Sequence, residues 1–175
     1  MGPTLRKLRK KQCDTIRDWL TSQPLRDNPQ MAGTVSSLTW DEWVEQGRNA
    51  VDTEACLLEF LENEPNPVTR SDVAIALGYV GGDRSVERLI DLLKDKEPMV
   101  VMEAAAALGR IGNQSAVPHL IEALKSDNPN VRANDCQALG TLGGDQATTA
   151  LTDVLRDHDP FVRSAAQEAL VRSRR

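Results

Sequence analysis

A set of marks that recurs every 31 residues constrains this chain more than any other feature. Ala76-Leu77-Gly78 returns as Ala107-Leu108-Gly109 and Ala138-Leu139-Gly140, and then as Ala169-Leu170. Prolines keep the same interval at Pro67, Pro98, Pro129 and Pro160, each two residues before Thr69, Val100, Val131 or Val162. A repeat of this length is one supersecondary unit that cannot bury its own apolar stripe, so successive units must stack and share a core.

Each unit reads as two helices. The first is Ala-rich, and a turn follows at Gly81-Gly82-Asp83, Gly112-Asn113-Gln114 or Gly143-Gly144-Asp145. The second carries Val86, Leu89, Ile90 and Leu93, or their echoes Val117, Leu120, Ile121 and Leu124. That i, i+3, i+4, i+7 spacing puts one apolar face inward. The turn glycines allow positive φ, Asp83, Ser115 or Asp145 is placed to cap the second helix, and each proline starts a new unit. Aromatic residues make up only 3% of the chain, so the core is built by close approach of helices over Ala and Leu.

Pro129-Asn130-Val131-Arg132, Ala138-Leu139-Gly140 and Leu142-Gly143-Gly144-Asp145 together resemble the short HEAT repeat of the phycobilisome lyase type. The resemblance covers residues 67–175 and implies an all-α fold, a right-handed α-solenoid of stacked two-helix HEAT-like repeats. Tetratricopeptide and ankyrin arrays have periods of about 34 and 33, but their signature residues are absent. The resemblance also implies a ladder of arginines joining units, and here Arg70, Arg132 and Arg163 fit while Val101 breaks the series. Asp135 is a second departure, because Val73, Ala104 and Ala166 hold its slot in the other units. It reads as a functional intrusion, a solvated edge or an internal cap.

Three domains are expected: a basic helix and linker at 1–33, a degenerate capping repeat at 34–66, and the regular repeats at 67–175. In the capping repeat, Thr39-Trp40-Asp41-Glu42 has capping-box spacing, and Trp40 and Trp43 are placed to close the end of the core. The head, with Arg6, Lys7, Arg9, Lys10 and Lys11, either packs on the solenoid or works as a basic arm.

Function classes narrow by exclusion. The formal net charge is −5, yet residues 1–30 hold seven basic and three acidic residues, leaving a strongly acidic body. Phosphate binding needs clustered positive charge, so nucleic acid is not expected as a partner except through the basic N-terminal arm. Cys13, Cys56 and Cys136 form no Cys-x-x-Cys pair and no zinc pattern, so free thiols, a reducing compartment and a cytoplasmic location are expected. No run approaches the length of a membrane span. HEAT-like iron hydroxylases need His-Glu pairs, and this sequence has none. No catalytic residues, metal site or cofactor are expected.

The resemblance implies that second helices line a concave face. Their outward positions give three rows: Arg88, His119, Ala150; Asp91, Glu122, Asp153; and Lys94, Lys125, Arg156. In the degenerate unit Leu57 and Phe60 replace Arg88 and Asp91. That apolar pair is either an anchor for a partner or is covered from within by Trp19 or Leu20. The partner-binding residues expected are therefore Leu57, Phe60, Arg88, Asp91, His119, Glu122, Asp153 and Arg156. The charges also admit a plainer role as intrahelical pairs worth about 0.2–0.5 kcal/mol each. The function expected is a non-catalytic scaffold or adaptor that binds another protein, with oligomeric state open. The alternative implied by the resemblance is a subunit of a phycobilin lyase or a related chromophore-handling factor.

Overall fold

The computed structural model describes residues 53–173 together with Cys13, Asp14 and Ile16. Every regular element among them is helical: α1 (Thr53–Leu61), α2 (Pro67–Val80), α3 (Asp83–Leu92), α4 (Pro98–Ile111), a 3-10 turn (Gln114–Ala116), α5 (Val117–Ala123), α6 (Pro129–Leu142), α7 (Asp145–Val154) and α8 (Pro160–Ser173). The helices alternate between two layers. First helices α2, α4, α6 and α8 pack on one another in chain order, and the second helices α3, α5 and α7 pack against the first helix of the next unit, α4, α6 and α8 in turn. This is the α-solenoid that the period requires.

Each recurring proline opens a first helix, where its missing N–H costs nothing. The residue before it often completes the cap. Asn66 accepts from Val68 N at 3.0 Å, Asn128 from Asn130 N at 2.9 Å and Asp159 from Phe161 N at 2.8 Å.

The Ala-Leu-Gly segments face the interior. Leu77, Leu108 and Leu139 are buried, as are the alanines beside them. The glycine of the motif has its own reason. A Cβ built on Gly140 would sit 2.7 Å from Ala169 Cα, one on Gly78 would sit 2.9 Å from Ala107 Cα, and one on Gly109 would sit 3.3 Å from Ala138 Cα. The glycine of one unit thus receives the alanine of the next, and the motif is the contact surface between consecutive first helices.

The turns differ from expectation in two ways. Gly112 and Gly143 do adopt positive φ, at 78° and 68°, but Gly81 has φ −77°. Gly81 is needed for space, because a Cβ there would meet Leu77 O at 2.4 Å and Ser85 Oγ at 2.5 Å. Asp83 and Asp145 are first helical residues and do not cap; Gly82 and Gly144 stand in the N-cap positions. For α3 the cap is supplied by the preceding unit, since Glu54 Oε1 accepts from Gly82 N at 3.0 Å and Ser85 Oγ at 2.7 Å. In the next unit Asn113, not Ser115, is the cap and accepts from Ser115 N at 2.9 Å.

The cysteine expectation is overturned. Cys13 and Cys56 form a disulfide across 43 residues, with their Cα atoms 5.1 Å apart. Ile16 joins the same core cluster as Cys56, so this part of the N-terminal segment docks on α1. Sequence spacing holds no sign of the pairing, which arises only once tertiary packing brings the two residues together. The argument from free thiols to a reducing compartment falls with it. Cys136 alone remains a free thiol among the described residues; it is buried, and burial followed by the neighbouring Asp135 charge pushes it up to about 12.

Asp135 is neither a solvated edge nor a cap. It is wholly buried in α6, and neither carboxylate oxygen has a hydrogen-bond partner. Burial pushes its carboxyl up to about 8. The basic residues 6–11, Trp19, Leu20, the linker, Trp40 and Trp43 lie outside the described residues.

Candidate functional site

The inter-unit joints are built from one recurring interaction. Arg70, on α2, donates from Nε and Nη2 to the Asp95 carboxylate at 2.8 and 2.9 Å, and from Nη1 to the carbonyls of Glu64 and Pro65. Arg132, on α6, repeats this with Asp157 at 2.9 Å twice and with the carbonyls of Ser126 and Asp127. Each guanidinium clamps the loop before its unit to the loop after it. Arg163 makes the first half of the clamp, donating to the carbonyls of Asp157 and His158.

Both carboxylates are stabilised in the charged form. The Arg132 hydrogen bonds hold Asp157 below the usual carboxylate range against the opposing effect of burial. For Asp95 burial is the largest single influence and acts upward, but the Arg70 hydrogen bonds and the Glu97 N–H outweigh it.

Between these two clamps lies a unit without one. Val101 occupies the arginine position, and Ser126, 31 residues from both Asp95 and Asp157, occupies the carboxylate position. Both halves of the pair are gone together. An open cavity of about 290 Å³ fills the place, bounded by Ile90, Leu93, Val101, Ala123 and Val131 on its apolar side and by Lys94, Asp95, His119, Glu122 and Ser126 on its polar side. The second helices α3 and α5, which flank it, hardly touch, whereas α5 meets α7 directly. The stripe residues Ile90 and Leu93 are half-buried, as their echoes Ile121 and Leu124 are, and they line this gap, while Val86, Leu89 and Leu92 are buried on the inner face.

The expected binding residues divide into three sets. His119 and Glu122 line the cavity. Arg88, Asp91 and Asp153 lie on second helices and Arg156 in the turn after α7, none of them lining the cavity; Asp91, Asp153 and Arg156 are exposed and Arg88 is half-buried. Two surface pairs form, Glu122 with Lys125 at 2.6 Å and Arg88 with Asp91 at 3.3 Å, and pairs so exposed contribute only about 0–1 kcal/mol. Their charges therefore stay available to a partner.

Leu57 and Phe60 require correction. Leu57 is completely buried and Phe60 is half-buried against the core. The inward face of α1 runs through Thr53, Cys56, Leu57 and Leu61, so the register carried back from Arg88 slips in the degenerate unit and turns Leu57 inward. It cannot anchor a partner. The Arg-Asp joint itself was readable in advance: Asp95, Ser126 and Asp157 keep the 31-residue interval and change in step with Arg70, Val101 and Arg132.

A family profile described as HEAT repeats matches residues 55–129 and again 103–171. The chain belongs to the HEAT-repeat family. Among solved structures, this HEAT-repeat chain is similar to one in the complex of CpcE and CpcF of phycocyanin lyase from Nostoc sp. PCC7120. The identity is 22% and the TM-score 0.62, with 89% of this chain covered. It spans 63% of that chain's length, and the likeness is one of fold. No curated protein sequence matches it. Among the described residues no group of His, Cys, Asp and Glu side chains could hold a metal ion, and no helix is long and apolar enough to cross a membrane.

Proposed function

We propose that this HEAT-repeat chain is a non-catalytic scaffold that binds another protein along its second-helix face, centred on the gap between α3 and α5. The observation that carries this reading is the gap itself. Every other described joint position is filled by an internal guanidinium, and the one left open lies among exposed charged residues of second helices, where a partner can reach it. Repeat arrays offer such extended surfaces without needing any reacting group.

The test is crosslinking and capture by the parent chain and by charge-reversed variants. Asp91→Arg, Glu122→Arg and Asp153→Arg together are expected to abolish capture of a partner that the parent binds, with helicity by circular dichroism unchanged. Capture that survives these changes but is lost on Arg110→Ala with Gln137→Ala, on the first-helix layer, would move the binding face to the opposite side.

A second reading is supported by the fold likeness to a chain of the CpcE–CpcF complex: that this chain works with a partner as a subunit of a bilin lyase. Mixing it with a bilin and a phycobiliprotein acceptor distinguishes the two. A shift in bilin absorption that needs this chain supports the lyase reading, and an unchanged spectrum leaves the scaffold.

A further inference from the structure

We propose that the gap between α3 and α5 is a receptor for a single arginine side chain presented by the partner protein. This rests on the second-helix face being the binding face and names what it recognises there.

The chain's own repetition points to this ligand. The loop carbonyls of Glu64 and Pro65, of Ser126 and Asp127, and of Asp157 and His158 each receive an internal guanidinium, from Arg70, Arg132 and Arg163. By the 31-residue interval their counterparts in the remaining unit are the carbonyls of Asp95 and Lys96, and Val101 has no donor to offer them. The backbone is thus arranged for a guanidinium that the chain does not supply. Ser126, replacing a carboxylate, leaves room for one to enter.

Size and lining agree. About 290 Å³ lies at the lower edge of the roughly 300–1,000 Å³ of small-molecule sites, which suits one side chain better than a cofactor. The apolar wall of Ile90, Leu93 and Val101 matches a methylene stem, and the polar end is lined by Asp95, Ser126 and the rim residue Glu122. A planar fork of five donors satisfies several such acceptors at once and is more weakly hydrated than an ammonium, so arginine is selected over lysine. Lys94 and His119 are the basic members of the lining and oppose entry; both are exposed, and Lys94 sits on a flexible stem that swings clear.

The experiment titrates the isotope-labelled full chain with N-acetyl-arginine amide, N-acetyl-lysine amide and N-acetyl-leucine amide, read by amide chemical shifts. The arginine probe is expected to move Val101, Ala123, Ser126 and Val131 with millimolar affinity, at least about fivefold more tightly than the other two. Lys94→Ala should tighten it about two- to fivefold by removing a like charge. Val101→Arg with Ser126→Asp, which rebuilds the neighbouring clamp, and Val101→Met, which fills the space without charge, should each abolish it. An equal response to the leucine probe, a response elsewhere on the chain, or one that persists in both filled variants overturns the proposal. If partner capture persists in the filled variants but is lost on charge reversal of the second helices, the arginine slot falls and the binding face stands; if neither change affects capture, both fall.

Discussion

Arg132 and Val101 stand one repeat apart, at the same place on consecutive first helices, and their surroundings differ in only one respect that matters. Around Arg132 a buried guanidinium satisfies a carboxylate and two carbonyls, and the joint is closed. Around Val101 both charged partners are missing, and the joint is a cavity. The backbone of the solenoid is continuous across both, because the Ala-Leu-Gly contacts between first helices do not depend on the clamp. Stacking and clamping are therefore separate devices, and a solenoid can give up one clamp and expose its slot without losing its core.

If that separation holds, the two joints respond very differently to truncation. Arg132→Ala leaves the half-buried Asp157 carboxylate without its partner and is expected to cost about 2–3 kcal/mol in chemical denaturation, whereas Val101→Ala costs about 1 kcal/mol, a lost pair of methyls. Similar losses at both sites would contradict the comparison.

Next in size is the buried acid of the same unit. A carboxyl raised to about 8 by burial keeps its proton in the folded chain while the unfolded chain loses it near pH 4, so its destabilising effect is absent below about pH 4 and complete by about pH 8. Asp135→Ala should therefore raise stability by about 1–3 kcal/mol at pH 8 and by much less at pH 5. Asp157 acts in the opposite direction: with its carboxyl held low, its contribution is present above about pH 4 and is lost as pH falls through its folded value. Arg132→Ala should accordingly matter least in acid. Urea unfolding of parent and variants at three pH values checks both signs.

The stacking device has its own graded test. Gly140→Ala would force a Cβ to within 2.7 Å of Ala169 and should cost about 1–3 kcal/mol, while Gly109→Ala, at 3.3 Å, should be nearly neutral because the gain in helix propensity offsets the crowding. Thermal unfolding of the two single variants decides it. The smallest effect belongs to the exposed Glu122 and Lys125 pair, where Glu122→Ala should change stability by less than about 0.5 kcal/mol and act on binding alone.

How much of this was legible in the sequence follows from the range of each interaction. The 31-residue interval revealed the paired helices, the prolines that open them and the buried Ala-Leu-Gly segments, because these are local features repeated in every unit. The arginine ladder was visible, and so was its gap at Val101, but its carboxylate partners lie 25 residues downstream, in the loop leaving each unit. The Cys13–Cys56 disulfide is a long-range contact that spacing does not encode. Leu57 was misplaced because a fixed interval was carried into a unit whose helix turns a different side inward, through Thr53, Cys56, Leu57 and Leu61. Glu54 went unnoticed as a cap because it acts on the following unit rather than on its own helix.

The most direct measurement is a crystal structure of the chain carrying Val101→Arg and Ser126→Asp. The introduced guanidinium is expected to reach the introduced carboxylate and the carbonyls of Asp95 and Lys96, copying the geometry around Arg132 and closing the cavity. A guanidinium turned out to solvent, with the space between α3 and α5 still open, would contradict it.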